Sequence, residues 1–170
     1  MPAPIFKMEI LWQELTHGLQ DRQHLLRVAI RLLAAMILGG IIGIQRERSG
    51  KAAGFRTHMM VCLGTAVFVI TCSTVGMEFD AMSRVIQGLV TGIGFIGAGT
   101  ILKLEGEEEI IGLTTAAGIW MTAAIGITVG LGAVGVGLIC TALALVILAL
   151  AQPLEDFFQK RHDAKEKKNK

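Results

Sequence analysis

Apolar residues occur along the chain in four long stretches that short polar segments separate. The stretches cover residues 25–44, 57–75, 85–102 and 110–150, and the last contains no charged residue. A single helix as long as that last stretch would extend about 60 Å, roughly twice the hydrocarbon thickness of a bilayer, so the stretch must fold back on itself. Glycines accumulate at Gly126, Gly130 and Gly132, which predicts the break there. The pattern therefore predicts five transmembrane helices.

The segment before the first apolar stretch has a different periodicity. Met8, Leu11, Trp12, Leu15 and Leu19 recur at spacings of three and four. This spacing is typical of an amphipathic helix, and we expect it to lie on the bilayer surface. The predicted organisation is an interfacial helix at 1–24, a transmembrane domain at 25–151 and a basic cytoplasmic tail at 152–170.

The composition supports a membrane location for this chain. Hydrophobic residues make up 52% of its 170 residues and charged residues 18%, and the mean hydropathy is +0.60. A soluble domain of this length could not bury so much apolar surface. We therefore expect an all-α integral membrane helix bundle with the lipid bilayer as its partner, and we expect no nucleic-acid binding.

Basic residues are concentrated on one side of the predicted helices. Arg46, Arg48, Lys51 and Arg56 lie in the first connection, and six further basic residues lie at 160–170. By the positive-inside rule the C-terminus is cytoplasmic and the N-terminus periplasmic in a bacterial inner (plasma) membrane. Arg27 and Arg31 lie near the opposite end of the first helix, where we expect their stems to reach the headgroups.

Small residues at helical spacing predict close helix packing, within the chain or between copies of it. Glycine pairs at spacing four suggest a homo-oligomer, with a dimer favoured. The predicted packing glycines are Gly39, Gly43, Gly88, Gly92, Gly97, Gly99, Gly126 and Gly130.

Gly92, Gly94 and Gly97 also match the dinucleotide-binding pattern G-x-G-x-x-G. That pattern requires a preceding strand, whereas these glycines lie within an uncharged membrane segment. We therefore reject the cofactor interpretation.

The first connection carries the most specific charge cluster. Arg46, Arg48 and Arg56 could form an anion or lipid-headgroup site, because planar guanidinium groups suit such ligands. A basic loop that only fixes topology is the alternative. Glu47 is expected to neutralise one of these arginines, since unpaired charges at the hydrocarbon edge are costly. His58, alone at the boundary, is weak evidence for proton transfer or a metal.

Two threonines, Thr114 and Thr115, begin the fourth predicted helix, and Trp120 follows. Their hydroxyls either bond to their own helix backbone or line a polar path. The other candidates for that path are Thr91, Thr100 and Gln87. The spans contain neither a nucleophile beside a base nor a cluster with metal-ligand spacing, so we expect no enzyme activity, cofactor or metal site.

Four ordered motifs carry a resemblance to a known family. They begin at Gly54, Arg84, Gly92 and Gly112 and read GFRTH, RVIQG, GIGFIGAG and GLTTAAGIW. In these motifs the chain resembles the MgtC/SapB family of bacterial inner-membrane proteins over residues 25–150. The motif positions that the resemblance carries over are Glu47, Arg56, Thr57, Arg84, Gln87, Thr114, Thr115 and Trp120.

The resemblance implies a multipass inner-membrane protein with a role in growth at low magnesium and, in some relatives, survival inside host cells. Such relatives look like regulators of other membrane proteins, including the ATP synthase. Virulence-type members end in a cytoplasmic domain, whereas this sequence ends in a lysine-rich tail, so it resembles the short members.

Three functions remain open at this point. The first is a regulatory or accessory factor in magnesium-linked cation homeostasis or membrane-energy homeostasis, which binds other inner-membrane proteins. The second is a small transporter or channel with a path lined by Arg56, Arg84, Gln87, Thr114 and Thr115. The third is lipid or headgroup binding without transport.

Overall fold

The computed structural model describes residues 8–13, 21–103 and 110–166, and its main elements are helices. In chain order they are α1 (Arg22–Arg48), α2 (Phe55–Thr74), α3 (Phe79–Ala98), α4 (Leu113–Gly130) and α5 (Val134–Glu166). Between α3 and α4, the two-residue strands β1 (Leu102–Lys103) and β2 (Ile110–Ile111) pair antiparallel.

Within the described chain, α1 to α4 are each long and apolar enough to cross a membrane, and α5 contributes a shorter apolar segment, Val134–Leu150. Large apolar side chains are exposed on the outside of the bundle, and Phe79 and Phe95 are more than 80% exposed. Lipid is the environment in which such surfaces are stable. The predicted all-α membrane helix bundle is therefore confirmed.

The two ends of the chain are described in part. Residues 8–13 are helical, and Met8, Leu11 and Trp12 of the predicted interfacial helix are exposed. Leu15 and Leu19 lie outside the described residues. At the other end, the backbone of α5 stays helical to Glu166, through most of the predicted tail.

The long uncharged stretch breaks where the glycines predict. α4 ends at Gly130 and α5 begins at Val134. Gly132 in the turn has a φ of +93°, a left-handed conformation that glycine adopts without strain. The third helix was predicted at 85–102. In the structure α3 begins earlier, at Phe79, and also ends earlier, at Ala98. Asp80 lies in its first turn, where a negative charge is favoured.

The core of the bundle lies between α1, α2 and α4. Buried side chains from these helices, together with two from α5, form one apolar cluster, which includes Leu38, Ile42, Cys62, Ala66 and Ile125. α3 lies to one side, and its buried residues are Met82, Ile93 and Gly97. The glycines of the rejected dinucleotide pattern are all inside this helix.

Glycines allow the three central helices to approach closely. A Cβ on Gly39 would lie 2.6 Å from the His58 carbonyl oxygen and 2.7 Å from the Cys62 Cβ. A Cβ on Gly126 would overlap the Cys62 carbonyl oxygen from the opposite side. Gly43 and Gly130 are similarly close to α2, at Phe55 and Ala66. The backbone of α2 is thus held between α1 and α4.

The other predicted packing glycines have different surroundings. A Cβ on Gly88 or Gly92 would meet nothing within 4 Å in the described chain, and one on Gly97 would be at an ordinary contact distance from Ala116. Gly99 faces carbonyl groups of its own helix. Packing of Gly88 and Gly92 between copies of the chain stays a prediction.

Arg31 joins two helices at the end of the bundle opposite Arg46. Its Nη1 donates to the Gly130 carbonyl at 3.1 Å, one of the carbonyls that a helix end leaves without an intrahelical partner. The sequence suggested that Arg31 reaches for lipid headgroups. The structure instead gives its guanidinium group a partner at the negative end of α4.

Candidate functional site

A group of buried polar side chains lies where the end of α1 meets the beginnings of α2 and α4. Arg46 is 2% exposed, Thr115 is 4% exposed, and His58 and Thr122 are completely buried. We call these four residues the polar cluster. Because polar groups inside a membrane protein are costly and commonly functional, the cluster is the leading candidate site of the described chain.

Arg46 carries the charge of the cluster. Its Nη2 donates to Thr115 Oγ1 at 3.3 Å, whereas its Nε has no hydrogen-bond partner. Thr115 lies in the first turn of α4, which is the positive end of the helix dipole. No carboxylate of the described residues forms an ion pair with Arg46. The positively charged guanidinium group is thus buried beside the N-terminus of α4, which is itself electropositive.

His58 and Thr122 form the second half of the polar cluster. His58 Nδ1 lies 2.7 Å from Thr122 Oγ1, and the Thr122 hydroxyl donates to the Gly118 carbonyl at 2.8 Å. With its only proton used in this way, the Thr122 oxygen accepts a hydrogen bond from His58 Nδ1. The other ring nitrogen, His58 Nε2, has no partner.

Helical spacing accounts for these positions. On α4, Thr115, Gly118 and Thr122 lie three and four residues apart, which places them on one face. On α1, Arg46 follows the buried Ile42 by four residues and continues the face that packs against the core. The cluster is therefore an extension of the core.

Glu47 has a structural role different from the one that the sequence suggested. Its Oε2 accepts the Phe55 backbone N–H at 2.9 Å. The N-cap of α2 is Gly54, which has no side chain to offer. Glu47 therefore caps α2 from the preceding helix, and its negative charge lies at the positive end of α2.

The predicted anion cluster is divided between the core and the surface. Arg46 points into the core, whereas Arg48 and Arg56 are exposed. The three guanidinium groups therefore do not share one environment, and of the three only Arg46 donates a hydrogen bond to α4.

The residues proposed for a polar path are also separated. Arg84 and Gln87 are exposed on α3, Arg56 is exposed at the start of α2 and Thr114 is exposed on α4. Thr115 is buried against Arg46. The remaining motif positions Thr57 and Trp120 are exposed as well. The structure does not bring the path candidates together.

The membrane core of the chain matches a known family. The model of the MgtC family matches residues 32–157, which include all four members of the polar cluster. The chain belongs to the MgtC family. The resemblance that the sequence motifs carry is thus confirmed, and the chain is a multipass bacterial membrane protein.

Individual relatives of this MgtC-family chain come from several bacteria. Protein SrpB of Synechococcus elongatus is 42% identical over 137 residues, which are 73% of this chain and 74% of the relative. The protein of Escherichia coli K12 named "Putative magnesium transporter YhiD" is 41% identical over 135 residues, 74% of this chain and 60% of the relative.

Protein MgtC of Brucella abortus is 37% identical over 145 residues, 85% of this chain and 56% of the relative. The chain thus spans between about half and three quarters of the length of these MgtC-family relatives. No solved structure matches it.

Sequence reasoning did not assign the polar cluster as a site. His58 was singled out only for its boundary position, and Thr122 was not considered. One signal was available: Thr115, Gly118 and Thr122 recur at helical spacing in an otherwise apolar segment. A second was the spacing of Leu38, Ile42 and Arg46 at four residues, which places the arginine on an apolar face.

Proposed function

We propose that this MgtC-family chain is a regulatory or accessory protein of the inner membrane, in magnesium-linked cation homeostasis or membrane-energy homeostasis, and that it acts on other membrane proteins without enzyme chemistry. The observation that carries this proposal is the separation of Arg56, Arg84, Gln87 and Thr114 from the buried Thr115. Transport requires polar groups that converge along a continuous path. The tight contacts of Gly39 and Gly126 with α2 leave little space for such a path through the core.

A transporter or channel is the second candidate, because the name given to YhiD suggests magnesium transport. The chain covers 60% of that relative. Its described part supports the regulatory role better, since a pathway for a divalent cation needs oxygen ligands, whereas the polar cluster contains the positively charged Arg46.

The orientation of the chain is part of the proposal. The concentration of basic residues in the first connection and after residue 159 supports a periplasmic N-terminus and a cytoplasmic C-terminus. In this orientation the polar cluster lies near the cytoplasmic surface, because α1 ends and α2 and α4 begin at that end of the bundle.

We further propose a homodimer that forms through α3. Gly64, Gly88 and Gly92 line an open groove between α2 and α3, and a Cβ on any of them would meet nothing within 4 Å. Gln87 is exposed next to this groove. An amide both donates and accepts, so two copies of Gln87 can pair across a twofold axis. Native mass spectrometry should show a dimer that Gly88→Leu weakens and Gly135→Leu does not, as Gly135 is equally open but lies on α5.

Two measurements test the regulatory role. The chain is reconstituted alone into liposomes that contain a magnesium-sensitive dye, and it is expressed in cells that lack their own copy and grow at low magnesium. We expect improved growth of the cells and no magnesium flux into the liposomes.

The transporter candidate predicts the opposite result in liposomes. Flux that Arg56→Ala abolishes and Arg48→Ala preserves would overturn the regulatory proposal, because both residues are exposed arginines and only Arg56 belongs to the predicted path. The paired variants separate loss of a path residue from loss of one positive charge.

A further inference from the structure

An open groove of about 670 Å³ lies between the last two turns of α1 and the apolar part of α5. Its lining changes from apolar to polar along α1. Ile41 and Leu145 line it toward the middle of the bundle, whereas Arg48 and Ser49 line it at the end of α1. We call it the α1–α5 groove. It shares no residue with the polar cluster or with the groove between α2 and α3.

The length of α1 places the polar end of the α1–α5 groove at the level of the lipid headgroups. α1 has 27 residues and extends about 40 Å, which matches the thickness of a bilayer with its headgroups. Ile41 lies about 10 Å deeper than Arg48 along the helix axis. Because the headgroup region is only about 5–7 Å thick on each side, the groove reaches from the headgroups into the hydrocarbon.

The polar end of the groove carries groups without partners. Arg48 is exposed, and its side chain forms no hydrogen bond or ion pair with the described residues. Gln45, which also lines the groove, donates through Nε2 to Ser49 Oγ at 3.2 Å, whereas its Oε1 is buried without a partner. Buried polar atoms are almost always paired. This end of the groove therefore lacks polar partners that the described chain does not supply.

A phospholipid matches both ends of the groove. A guanidinium group binds phosphate oxygens through parallel N–H groups, and basic pockets between membrane helices bind lipid headgroups. Water or a soluble anion could contact Arg48 but would leave the walls at Ile41 and Leu145 without an apolar partner, which is unfavourable. The positive charge of Arg48 favours an anionic lipid, because a zwitterionic headgroup also brings a cation to the site.

We propose that the α1–α5 groove binds one anionic phospholipid of the phosphatidylglycerol type. The Arg48 guanidinium group donates to the lipid phosphate, a headgroup hydroxyl is the donor for Gln45 Oε1, and one acyl chain lies along Ile41 and Leu145. In the proposed orientation of the chain, this lipid belongs to the cytoplasmic leaflet. Of the three arginines in the predicted anion cluster, only Arg48 takes part. The proposal does not depend on the regulatory role.

Native mass spectrometry of the full chain tests the proposal. The protein, purified in a mild detergent, receives equal amounts of phosphatidylglycerol and phosphatidylethanolamine with identical acyl chains. At low lipid concentration we expect one phosphatidylglycerol to be retained per chain. It should be at least about fivefold more abundant than retained phosphatidylethanolamine, which is the preference expected from one basic side chain near an anionic headgroup.

Two pairs of variants test the two ends of the groove. Arg48→Gln should increase the dissociation constant for phosphatidylglycerol about tenfold, because a charged hydrogen-bond donor is lost. Arg56→Gln is its control, since Arg56 is also an exposed arginine and does not line the groove. Ala149→Phe places a ring in the groove and should reduce retention of the lipid. Ala142→Phe, at an exposed position of α5 outside the groove, should preserve it.

Several outcomes would overturn the proposal. Equal retention of the two lipids would indicate lipid that only surrounds the bundle, and equal losses in Arg48→Gln and Arg56→Gln would indicate attraction to the basic surface as a whole. Displacement of the lipid by soluble glycerol phosphate at a similar concentration would indicate a site for a small anion, without a role for the apolar walls. Lipid binding that appears only in Asp156→Asn would indicate that a carboxylate of the chain occupies the site.

Discussion

The close contact between α1 and α2 can be tested by adding one methyl group at Gly39. The Cβ of Gly39→Ala would lie 2.6 Å from the His58 carbonyl oxygen, whereas ordinary contacts begin near 3.4 Å. The obstruction is backbone, which cannot rotate away as a side chain can. The two helices must therefore separate by about 0.8 Å, and a gap of that size removes about a quarter to a half of each contact's dispersion energy.

The net cost follows from two opposing effects. Overpacking of a well-packed core costs about 1–3 kcal/mol, while alanine is favoured over glycine within a helix by about 1 kcal/mol. Because the obstruction is backbone, the overpacking cost should fall in the upper half of its range, about 2–3 kcal/mol. We therefore expect Gly39→Ala to lower the free energy of unfolding by about 1–2 kcal/mol. Gly94→Ala in α3 retains only the favourable effect, since its Cβ is unobstructed and it does not line the groove proposed for the dimer, and it should raise the free energy of unfolding by up to about 1 kcal/mol.

Reversible unfolding by SDS in mixed micelles, followed by tryptophan fluorescence, measures both values. The reasoning requires opposite signs for the two variants. Equal changes in the free energy of unfolding for Gly39→Ala and Gly94→Ala would refute it, because the variants differ mainly in the space around the added methyl group.

Two further predictions concern side chains that complete helix ends. Glu47→Ala removes the acceptor of the Phe55 N–H and should lower the free energy of unfolding by about 1–2 kcal/mol in the same assay. Glu47→Gln keeps an acceptor and should lower it less. Equal losses of stability in the two variants would argue against the cap. Arg31→Met removes the donor to the Gly130 carbonyl and should lower the free energy of unfolding by about 1.5–3 kcal/mol, the usual contribution of a hydrogen bond to a charged group. Arg27→Met, at an exposed position, is the control. A similar loss of stability in Arg27→Met would contradict a specific contact of Arg31.

The helices could be predicted from the sequence because the bilayer imposes strong constraints. A stretch such as 110–150 is too long for one span, and the glycines at its centre indicate where it turns. The structure placed that turn at Leu131 and Gly132, as predicted. The limits of α3 were harder to predict, since Asp80 is polar and yet favourable in a first helical turn.

The polar cluster could not be assembled from spacing alone. Helical periodicity tells which residues share a face, but the face that α1 turns toward α4 depends on how the helices rotate against each other. Arg46 and Arg48 illustrate the problem. They are separated by about 200° around the helix, and only the structure shows that the first points inward and the second outward.

The resemblance to the MgtC family contributed a different kind of information. It identified Thr115 as a motif position, and the structure pairs this residue with Arg46. It also identified Arg84 and Gln87, which the structure leaves exposed on α3. Membership of a family therefore does not by itself show that its motif residues meet.

The polar cluster also has a consequence for biosynthesis. Arg46 and His58 leave the ribosome well before Thr115 and Thr122, because α3 and both strands lie between them in the chain. Until α4 is inserted, the hairpin of α1 and α2 holds a cation and an imidazole ring without these hydroxyl partners. Burial of that end of the hairpin must therefore follow insertion of α4. In a nascent chain that stops after α3, Arg46 should stay accessible to water, and the exposed charge should mark the chain for degradation by membrane quality control.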